Sequence, residues 1–281
     1  MKIGMIGLGL IGGSMARAYK TDGHTVFAID TDPVTLGWAK LSGVIDGELT
    51  TETIPECELI MPAVLPEAAA KWLIDNSEYI SKDSLVIDLC GTKRYICKIG
   101  FELAEKYGYT FAGGHPMAGT HLSGIKNSRA DLFCGQPMVI VPPRADDITL
   151  FARIKDALSP AGFGKFTFTT AEEHDKMIAF TSQLAHVVSN AYIKSPRSAV
   201  HSGVSAGSYR DMTRVAWLNE NMWTQLFLEN RDNLICEIDF LIKSLSEYKN
   251  ALESEDAEYL CTLLRDGRIA KEISDGIFKK N

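Results

Sequence analysis

The chain has 281 residues, of which 46% are hydrophobic and 23% charged, and its formal net charge is −7. This composition is typical of a folded globular protein and excludes a disordered chain, a collagen-like fibre and a disulfide scaffold. At about 150 residues per domain, the length predicts two domains. The acidic balance argues against a general nucleic-acid binder, although it allows a local basic pocket for a small anion.

Cysteine usage and hydropathy predict a cytoplasmic protein. The six cysteines form no C-x-x-C pair and match no zinc-ligand spacing, so we interpret them as reduced thiols without a catalytic role. No apolar run approaches the ~18–20 residues that span a bilayer. The N-terminus begins with a strand pattern and lacks the ordered parts of a signal peptide. We therefore expect no membrane contact and no bound metal.

The first part of the chain alternates short β-rich runs with helical patterns, which predicts a parallel sheet with crossover helices. The predicted strands are 3–6, 25–29, 59–63, 85–89, 110–112, 138–141 and 165–168. The predicted helices between them are 11–20, 33–41, 67–74, 95–107 and 150–158.

After Thr170 no convincing strand pattern follows. The predicted helices are 171–192, 222–252, 257–264 and 269–273, with a break rich in proline and glycine at 193–209. The helix at 222–252 carries apolar residues three and four apart, a seam that packs against another helix. We place the domain boundary at Thr169.

A glycine-rich turn follows the first predicted strand. Residues 7–12 read GLGLIG, which fits G-x-G-x-x-G in the required context between a strand and a helix. In this pattern the first glycine permits a tight turn, the second lets a pyrophosphate approach the backbone, and the third lets the helix pack closely. The helix N-terminus also favours phosphate. The predicted cofactor-binding residues are Gly7, Leu8, Gly9, Leu10, Ile11 and Gly12.

Asp30 closes the second predicted strand, 18 residues after Gly12. The dinucleotide fingerprint has an acidic residue near this position, because a carboxylate accepts hydrogen bonds from the ribose hydroxyls and repels a 2′-phosphate. Thr31 follows Asp30 where an NADP site would favour arginine. The sequence therefore predicts NAD rather than NADP as the cofactor.

A histidine in a rigid setting follows a later strand. His115 lies within the segment Gly113-Gly114-His115-Pro116, and ligands of open α/β sheets bind beyond the carboxyl ends of the strands. Pro116 restricts His115 to an extended conformation. A histidine with a pKa near neutrality suits a general base, so we predict this role for His115.

Further polar residues come from the helical part. His174, Ser182 and His186 fall on one predicted helix, where Ser182 and His186 share a face. Metal binding is disfavoured because the two histidines lie ~18 Å apart along the axis. Residues 209–214 carry two arginines, of which one would pair with Asp211 and the other would bind a substrate carboxylate.

Taken together, these motifs resemble the prephenate/arogenate dehydrogenase family over essentially the whole chain. The matching segments are GLGLIGGS (7–14), DLCGTK (88–93), GHPMAGTHLSG (114–124), ADLF (130–133), HDKMIAFTSQLAH (174–186), YRDMTRVA (209–216) and WTQLFLENR (223–231). The resemblance implies an α/β Rossmann-type NAD-binding domain at 1–169, followed by an all-α substrate and dimerisation domain at 170–281. It also implies a small anionic substrate and a homodimer formed through the C-terminal helices.

The activity implied by this resemblance is the NAD-linked oxidative decarboxylation of prephenate to 4-hydroxyphenylpyruvate in tyrosine biosynthesis. His115 would take the proton of the 4-hydroxyl as hydride leaves, and Arg214 would hold a substrate carboxylate. The other substrate-binding residues that the resemblance implies are His186, Ser182, His174, Trp223 as an apolar wall, and Gly207 through a backbone contact across the subunits.

Two positions distinguish this chain within the family pattern. Relatives commonly carry a serine where this chain has Gly91, and that serine hydrogen-bonds the catalytic histidine; Thr92 or a water would have to replace it. Some relatives carry an acidic residue at the position of His121. An acidic residue there would favour the ammonium group of arogenate, so His121 favours prephenate.

Three alternatives stay open at this point. The nearest is an arogenate dehydrogenase, which forms tyrosine directly. A β-hydroxyacid dehydrogenase would need a catalytic lysine on a helix of the second domain, where Lys176 lies off the register of Ser182 and His186. A non-catalytic NAD-binding protein would have dispensable residues at His115 and Arg214.

Overall fold

Strands in the first part of the chain form a single sheet. The computed structural model describes residues 1–120 and 122–276. The strands in this part are β1 (Lys2–Ile6), β2 (Thr25–Ile29), β3 (Gly47–Glu48), β4 (Leu59–Pro62), β5 (Leu85–Ile87), β6 (Thr110–Pro116), β7 (Pro137–Val141) and β8 (Lys165–Phe168). Their order across the sheet is β3-β2-β1-β4-β5-β6-β7-β8.

The strand directions confirm the predicted sheet with one exception. All neighbouring pairs from β3 to β6 are parallel, as are β7 and β8, whereas β6 and β7 are antiparallel. The exception arises because the chain returns to β7 from the edge at which β6 ends, without a crossover helix. The short strand β3 was not predicted from the sequence.

Crossover helices cover both faces of the sheet. The helices of this part are α1 (Leu10–Thr21), α2 (Pro33–Leu41), α3 (Pro66–Asn76), α4 (Arg94–Tyr107) and α5 (Ile148–Ala157). In β1, Ile3 and Met5 pack into the core layer beneath α1, α2 and α5, whereas Ile6 packs into the opposite layer beneath α3 and α4. Both layers are buried, because the central strands of a parallel sheet are covered on each face.

From Ala171 onward the described chain is helical. The segments are α6 (Ala171–Ile178), a π-helical turn (Ala179–Leu184), α7 (Ala185–Ile193), α8 (Gly207–Thr213), α9 (Glu220–Glu229), α10 (Arg231–Glu253) and α11 (Ala257–Ser274). The first three are continuous, which confirms the predicted helix at 171–192. The molecule divides into two compact units, Met1–Asn230 and the remainder of the chain from Arg231.

Two helix predictions were wrong. The predicted helix at 222–252 breaks at Asn230, which is fully buried and has a non-helical backbone. Its side chain donates to the carbonyl oxygen of Asp175 and to Oε1 of Gln183, so tertiary hydrogen bonds override the local helical pattern. The predicted helices at 257–264 and 269–273 are one helix, α11, because a single interior glycine such as Gly267 is tolerated.

The described cysteines carry free thiols. Cys57, Cys90 and Cys97 are buried, and burial raises the pKa of each of these three thiols. A raised pKa keeps the thiol protonated and unreactive. Within the described ranges, no helix combines the length and the apolar character that crossing a membrane requires.

Candidate active site

The glycine-rich turn between β1 and α1 is built around close backbone contacts. Gly7 has φ +87°, and a Cβ on it would lie 2.4 Å from Cγ1 of Val64. A Cβ on Gly12 would lie 2.0 Å from the carbonyl oxygen of Gly7, so only glycine lets α1 pack this closely. Gly9 instead faces open space, with no heavy atom within 4 Å of its ideal Cβ position.

This geometry fits a dinucleotide. The open space at Gly9 is a cradle that a side chain would fill, and it lies at the N-terminus of α1, where free N–H groups favour phosphate. Leu8, Leu10 and Ile11 complete the turn and the first residues of the helix.

Asp30 follows the last residue of β2 and contacts the glycine-rich turn directly. Its Oδ2 accepts a hydrogen bond from the backbone N–H of Leu8 at 2.7 Å, and its Oδ1 accepts one from the backbone N–H of Asp32 at 2.9 Å. A carboxylate offers about four acceptor positions, so capacity remains for ribose hydroxyls. Asp30 therefore stands at the position that the fingerprint assigns to the ribose contact.

The backbone before His115 is held by a buried ion pair. Lys93 and Asp88 have fully buried side chains and pair with each other. The Nζ of Lys93 donates to the carbonyl oxygen of Gly114 at 2.6 Å, and Oδ1 of Asp88 accepts from the N–H of Gly114 at 3.3 Å. Lys93 and Asp88 thus bind the C=O and the N–H of Gly114, the residue that precedes His115.

The role of Lys93 and Asp88 was missed in the sequence. Burial alone would lower the pKa of Lys93, but the charge of Asp88 and the hydrogen bond to it outweigh burial and raise the pKa. The lysine therefore stays charged. The signal in the sequence was the segment 88–93 (DLCGTK), which directly follows an apolar strand. Its first residue is acidic and its last residue is basic, five positions later.

His115 itself contacts a second histidine. Its Nδ1 lies 2.9 Å from Nε2 of His174, and Nδ1 of His174 lies 2.7 Å from Oδ1 of Asp175. His174 and Asp175 are buried, whereas His115 is half-buried. Burial lowers the pKa of His115 well below 6.5, and the neighbouring His174 and the charge of Lys93 lower it further. The imidazole of His115 is therefore uncharged near pH 7.

Both ring nitrogens of His174 are therefore occupied by protein groups. A substrate contact of His174, as predicted from the sequence, would have to replace one of these two hydrogen bonds. By contrast, within residues 1–120 and 122–276 the Nε2 of His115 has no hydrogen-bond partner.

A second group of predicted residues lies in the π-helical turn, on α7, directly after α8 and on α9. The rings of His186 and Trp223 lie 3.8 Å apart between centroids, at 30° to each other. Nδ1 of His186 contacts the carbonyl oxygen of Ser182 at 2.8 Å, across the π-helical turn. Burial, and after it the charge of Arg214, lowers the pKa of His186.

The arginines of residues 209–214 are arranged differently from the expectation. Arg210 and Arg214 are both exposed, and in the described part of the chain neither forms an ion pair with Asp211. The predicted pairing of one arginine with Asp211 is therefore wrong. Asp211 is exposed on the short helix α8. Gly207 is the exposed first residue of α8. His121 lies outside the described residues.

The position of Gly91 is flanked by a carboxyl group. The hydroxyl of Thr92 donates to Oε2 of Glu229, and Oε1 of Glu229 accepts from Nε2 of Gln225 at 3.0 Å. Burial raises the pKa of Glu229. A Cβ on Gly91 would lie 3.4 Å from Leu226, in ordinary contact. Thr92 therefore directs its proton to Glu229 and does not replace the family serine as a donor to His115.

Residues 1–120 and 122–276 contain no group of three or more His, Cys, Asp or Glu side chains arranged to hold a metal ion. The carboxyl ends of β1, β2, β5 and β6 instead bring the glycine-rich turn, Asp30, Asp88 and His115 to one edge of the sheet. This edge is the ligand-binding edge of open α/β folds.

Fold and site together define an oxidoreductase with a nucleotide-binding domain and a following helical domain. The family model for the prephenate dehydrogenase nucleotide-binding domain matches residues 15–165, and the model for the prephenate dehydrogenase dimerization domain matches residues 170–266. The chain belongs to the prephenate dehydrogenase family, as the sequence motifs predicted.

Individual proteins support this membership. A prephenate dehydrogenase of Lactococcus lactis is 30% identical over 98% of this chain and 78% of its own length. A prephenate dehydrogenase of A. aeolicus, solved with hydroxyphenyl propionate and NAD+, is 25% identical with a TM-score of 0.81, covering 96% of this chain and 97% of that chain. Synechocystis arogenate dehydrogenase is 25% identical with a TM-score of 0.79, covering 98% of this chain and 100% of that chain.

Proposed function

We propose that the chain catalyses the oxidative decarboxylation of prephenate to 4-hydroxyphenylpyruvate with NAD, and that His115 is its general base. The observation that carries this proposal is the position of His115 at the nucleotide edge of the sheet, where its Nε2 has no hydrogen-bond partner within residues 1–120 and 122–276. Burial lowers the pKa of this imidazole, which supports the role of a base. The family membership supplies the reaction, and the glycine-rich turn with Asp30 fits the cofactor.

His115 has one task in this reaction. Bound NAD would accept the hydride that leaves the ring carbon bearing the 4-hydroxyl. Nε2 of His115 takes the proton of that hydroxyl, so the oxygen becomes a carbonyl as the hydride departs. Loss of the ring carboxylate as CO2 then leaves its bonding electron pair in the ring, which becomes aromatic. The carbonyl oxygen becomes a phenolate, which takes a proton back from the imidazolium of His115 to give the phenol. A neutral base is required at the start, and the lowered pKa of His115 provides one.

In this proposal the substrate is bound by residues from the π-helical turn to α9. Arg214 is exposed and unpaired in the described part of the chain, so it is available to bind a substrate carboxylate bidentately. Trp223, stacked against His186, offers an apolar surface to the ring. Ser182 lies one helical turn from His186 and completes this proposed pocket. The proposed substrate is a small anion, which Arg214 would bind although the chain as a whole has a net charge of −7.

The two sequence domains have separate tasks in this proposal. Residues 1–169 bind the nucleotide and carry the base, and residues 170–281 bind the substrate and form a homodimer through their helices. Gly207 would approach the site of the partner subunit through its backbone. A cytoplasmic location agrees with the free thiols.

Arogenate is the second candidate substrate, because a solved arogenate dehydrogenase resembles this chain over 98% of its length. The two substrates differ at the side chain, where arogenate carries an ammonium group. The non-acidic His121 favours prephenate, as the sequence predicts.

Steady-state assays test this function. NADH formation would be followed spectroscopically with prephenate and with arogenate, each with NAD and with NADP. We expect the highest kcat/KM for prephenate with NAD. His115→Asn should lower kcat by at least ~10²-fold, whereas His24→Asn, at the opposite end of β2 from Asp30, should not. An inactive wild-type enzyme under all four conditions would overturn the proposal.

A further inference from the structure

Beyond the base itself, the geometry points to two positioning residues. We propose that His174 and Asp175 fix the tautomer and the orientation of His115, so that its Nε2 carries the lone pair. This inference rests on the proposed function, in which Nε2 of His115 accepts the substrate proton. Neither His174 nor Asp175 touches the reacting atoms.

The first step concerns the proton between Asp175 and His174. An ionised carboxylate only accepts hydrogen bonds. Burial alone would raise the pKa of Asp175, but hydrogen bonds from His174 and from the backbone N–H groups of Arg94 and Lys93 lower it, so the group is ionised. Since Nδ1 of His174 lies 2.7 Å from Oδ1 of Asp175, that nitrogen carries the proton.

The second step follows from the neutral state of His174, whose pKa burial lowers below 6.5 despite the opposing effect of Asp175. A neutral imidazole has one donor and one acceptor nitrogen. With the proton on Nδ1, Nε2 of His174 is an acceptor, and its partner at 2.9 Å is Nδ1 of His115. Nδ1 of His115 must then donate, which leaves Nε2 of His115 as the acceptor.

The carboxylate that begins this chain of hydrogen bonds is itself held firmly. Oδ1 of Asp175 accepts from the backbone N–H of Lys93 at 2.8 Å, and Oδ2 accepts from the backbone N–H of Arg94 at 3.0 Å. These groups lie at the N-terminus of α4, where the helix dipole favours a negative charge. Asp175 therefore stays in place independently of His174.

Neighbouring residues offer no competing partner for Nδ1 of His115. Gly91 has no side chain, and the hydroxyl of Thr92 donates to Glu229. Within the described ranges, His174 is the one hydrogen-bond partner of the His115 ring. The orientation of the base thus depends on this single contact and on the backbone of Gly114.

Two substitutions at His174 separate positioning from packing. His174→Leu replaces the imidazole by an apolar side chain of moderate size and so removes the hydrogen-bond acceptor. His174→Gln instead places an amide oxygen near the position of Nε2. We expect His174→Leu to lower kcat at least ~10-fold, as a wrong tautomer costs up to ~10⁴-fold in serine proteases. KM for prephenate should change by less than about twofold, and His174→Gln should recover most of kcat.

A spectroscopic readout tests the tautomer directly. Nitrogen-15 NMR of labelled histidine distinguishes protonated from unprotonated ring nitrogens, and His115→Asn identifies the signals of His115. We expect a protonated Nδ1 in the wild type and a mixture of tautomers in His174→Leu. Lys176→Gln, an exposed substitution on the same helix, is the matched control and should change neither kcat nor the spectrum.

The outcomes distinguish this inference from the function on which it rests. A wild-type enzyme that fails to oxidise either substrate contradicts the function, and the NMR spectrum still reports the tautomer. A protonated Nε2 on His115 in the wild type would overturn the inference. So would a folded His174→Leu enzyme with a kcat within twofold of the wild type, or equal losses of kcat in the Leu and Gln variants.

Discussion

The Nζ of Lys93 lies 2.6 Å from the carbonyl oxygen of Gly114, the residue directly before His115. This contact links a fully buried charge to the backbone that carries the base. Because Asp88 binds the N–H of the same residue, the peptide groups around Gly114 are fixed on both sides. The placement of His115 therefore depends on two charged side chains that are fully buried.

The buried pair should be necessary for stability. Lys93→Met would leave Asp88 as an uncompensated buried charge, so we expect a loss of about 3–5 kcal/mol in the free energy of unfolding. Denaturant unfolding would measure it. The matched control is Lys71→Met, which removes the exposed ion pair with Asp75 and should change stability by less than about 1 kcal/mol. Similar losses in the two variants would contradict this prediction.

The acid limb of the pH profile should lie lower than for an ordinary histidine. A base works only when unprotonated, and burial, His174 and Lys93 lower the pKa of His115 well below 6.5. As pH falls through 6.5, kcat/KM for prephenate should therefore remain high and decline only at a clearly lower pH. The profile of kcat/KM reports groups of the free enzyme. An acid limb centred at or above 6.5 would be inconsistent with this environment.

Arg214 should act mainly in substrate binding. If its contact with a carboxylate is equally strong in the ground state and the transition state, Arg214→Ala raises KM for prephenate and leaves kcat nearly unchanged. We expect KM to rise at least ~10-fold, the scale of a charged hydrogen bond. Arg210→Ala removes an exposed arginine four residues earlier and serves as the control. A large fall in kcat with an unchanged KM would show that Arg214 acts in the chemical step instead.

Two glycines of the turn should respond differently to alanine. Gly9→Ala fills open space, so the protein should fold with nearly normal stability while its affinity for NAD falls. Gly12→Ala would place a Cβ 2.0 Å from the carbonyl oxygen of Gly7, so the protein itself should be destabilised. Thermal unfolding and NAD titration by fluorescence measure the two effects. Loss of NAD affinity without destabilisation in Gly12→Ala would refute the proposed division.

The sequence predicted those features that depend on local pattern. The glycine-rich turn and Asp30 belong to one strand–helix–strand unit, whose geometry is shared by many nucleotide-binding proteins. The hydrogen bond between His115 and His174 joins residues 59 apart in the chain. The spacing of His174, Ser182 and His186 along their helix could not reveal it. The break at Asn230 was hidden for a similar reason, because only the folded protein supplies Asp175 and Gln183 as partners.

The antiparallel pairing of β6 with β7 has a consequence for how this chain can vary. Since β6 ends and β7 begins at the nucleotide edge, the connection at 117–136 starts and finishes beside His115. Longer or shorter connections would alter what surrounds a ligand without shifting the register of any strand pair. Substrate preference could therefore change over evolutionary time while the sheet that holds the nucleotide keeps its hydrogen bonds.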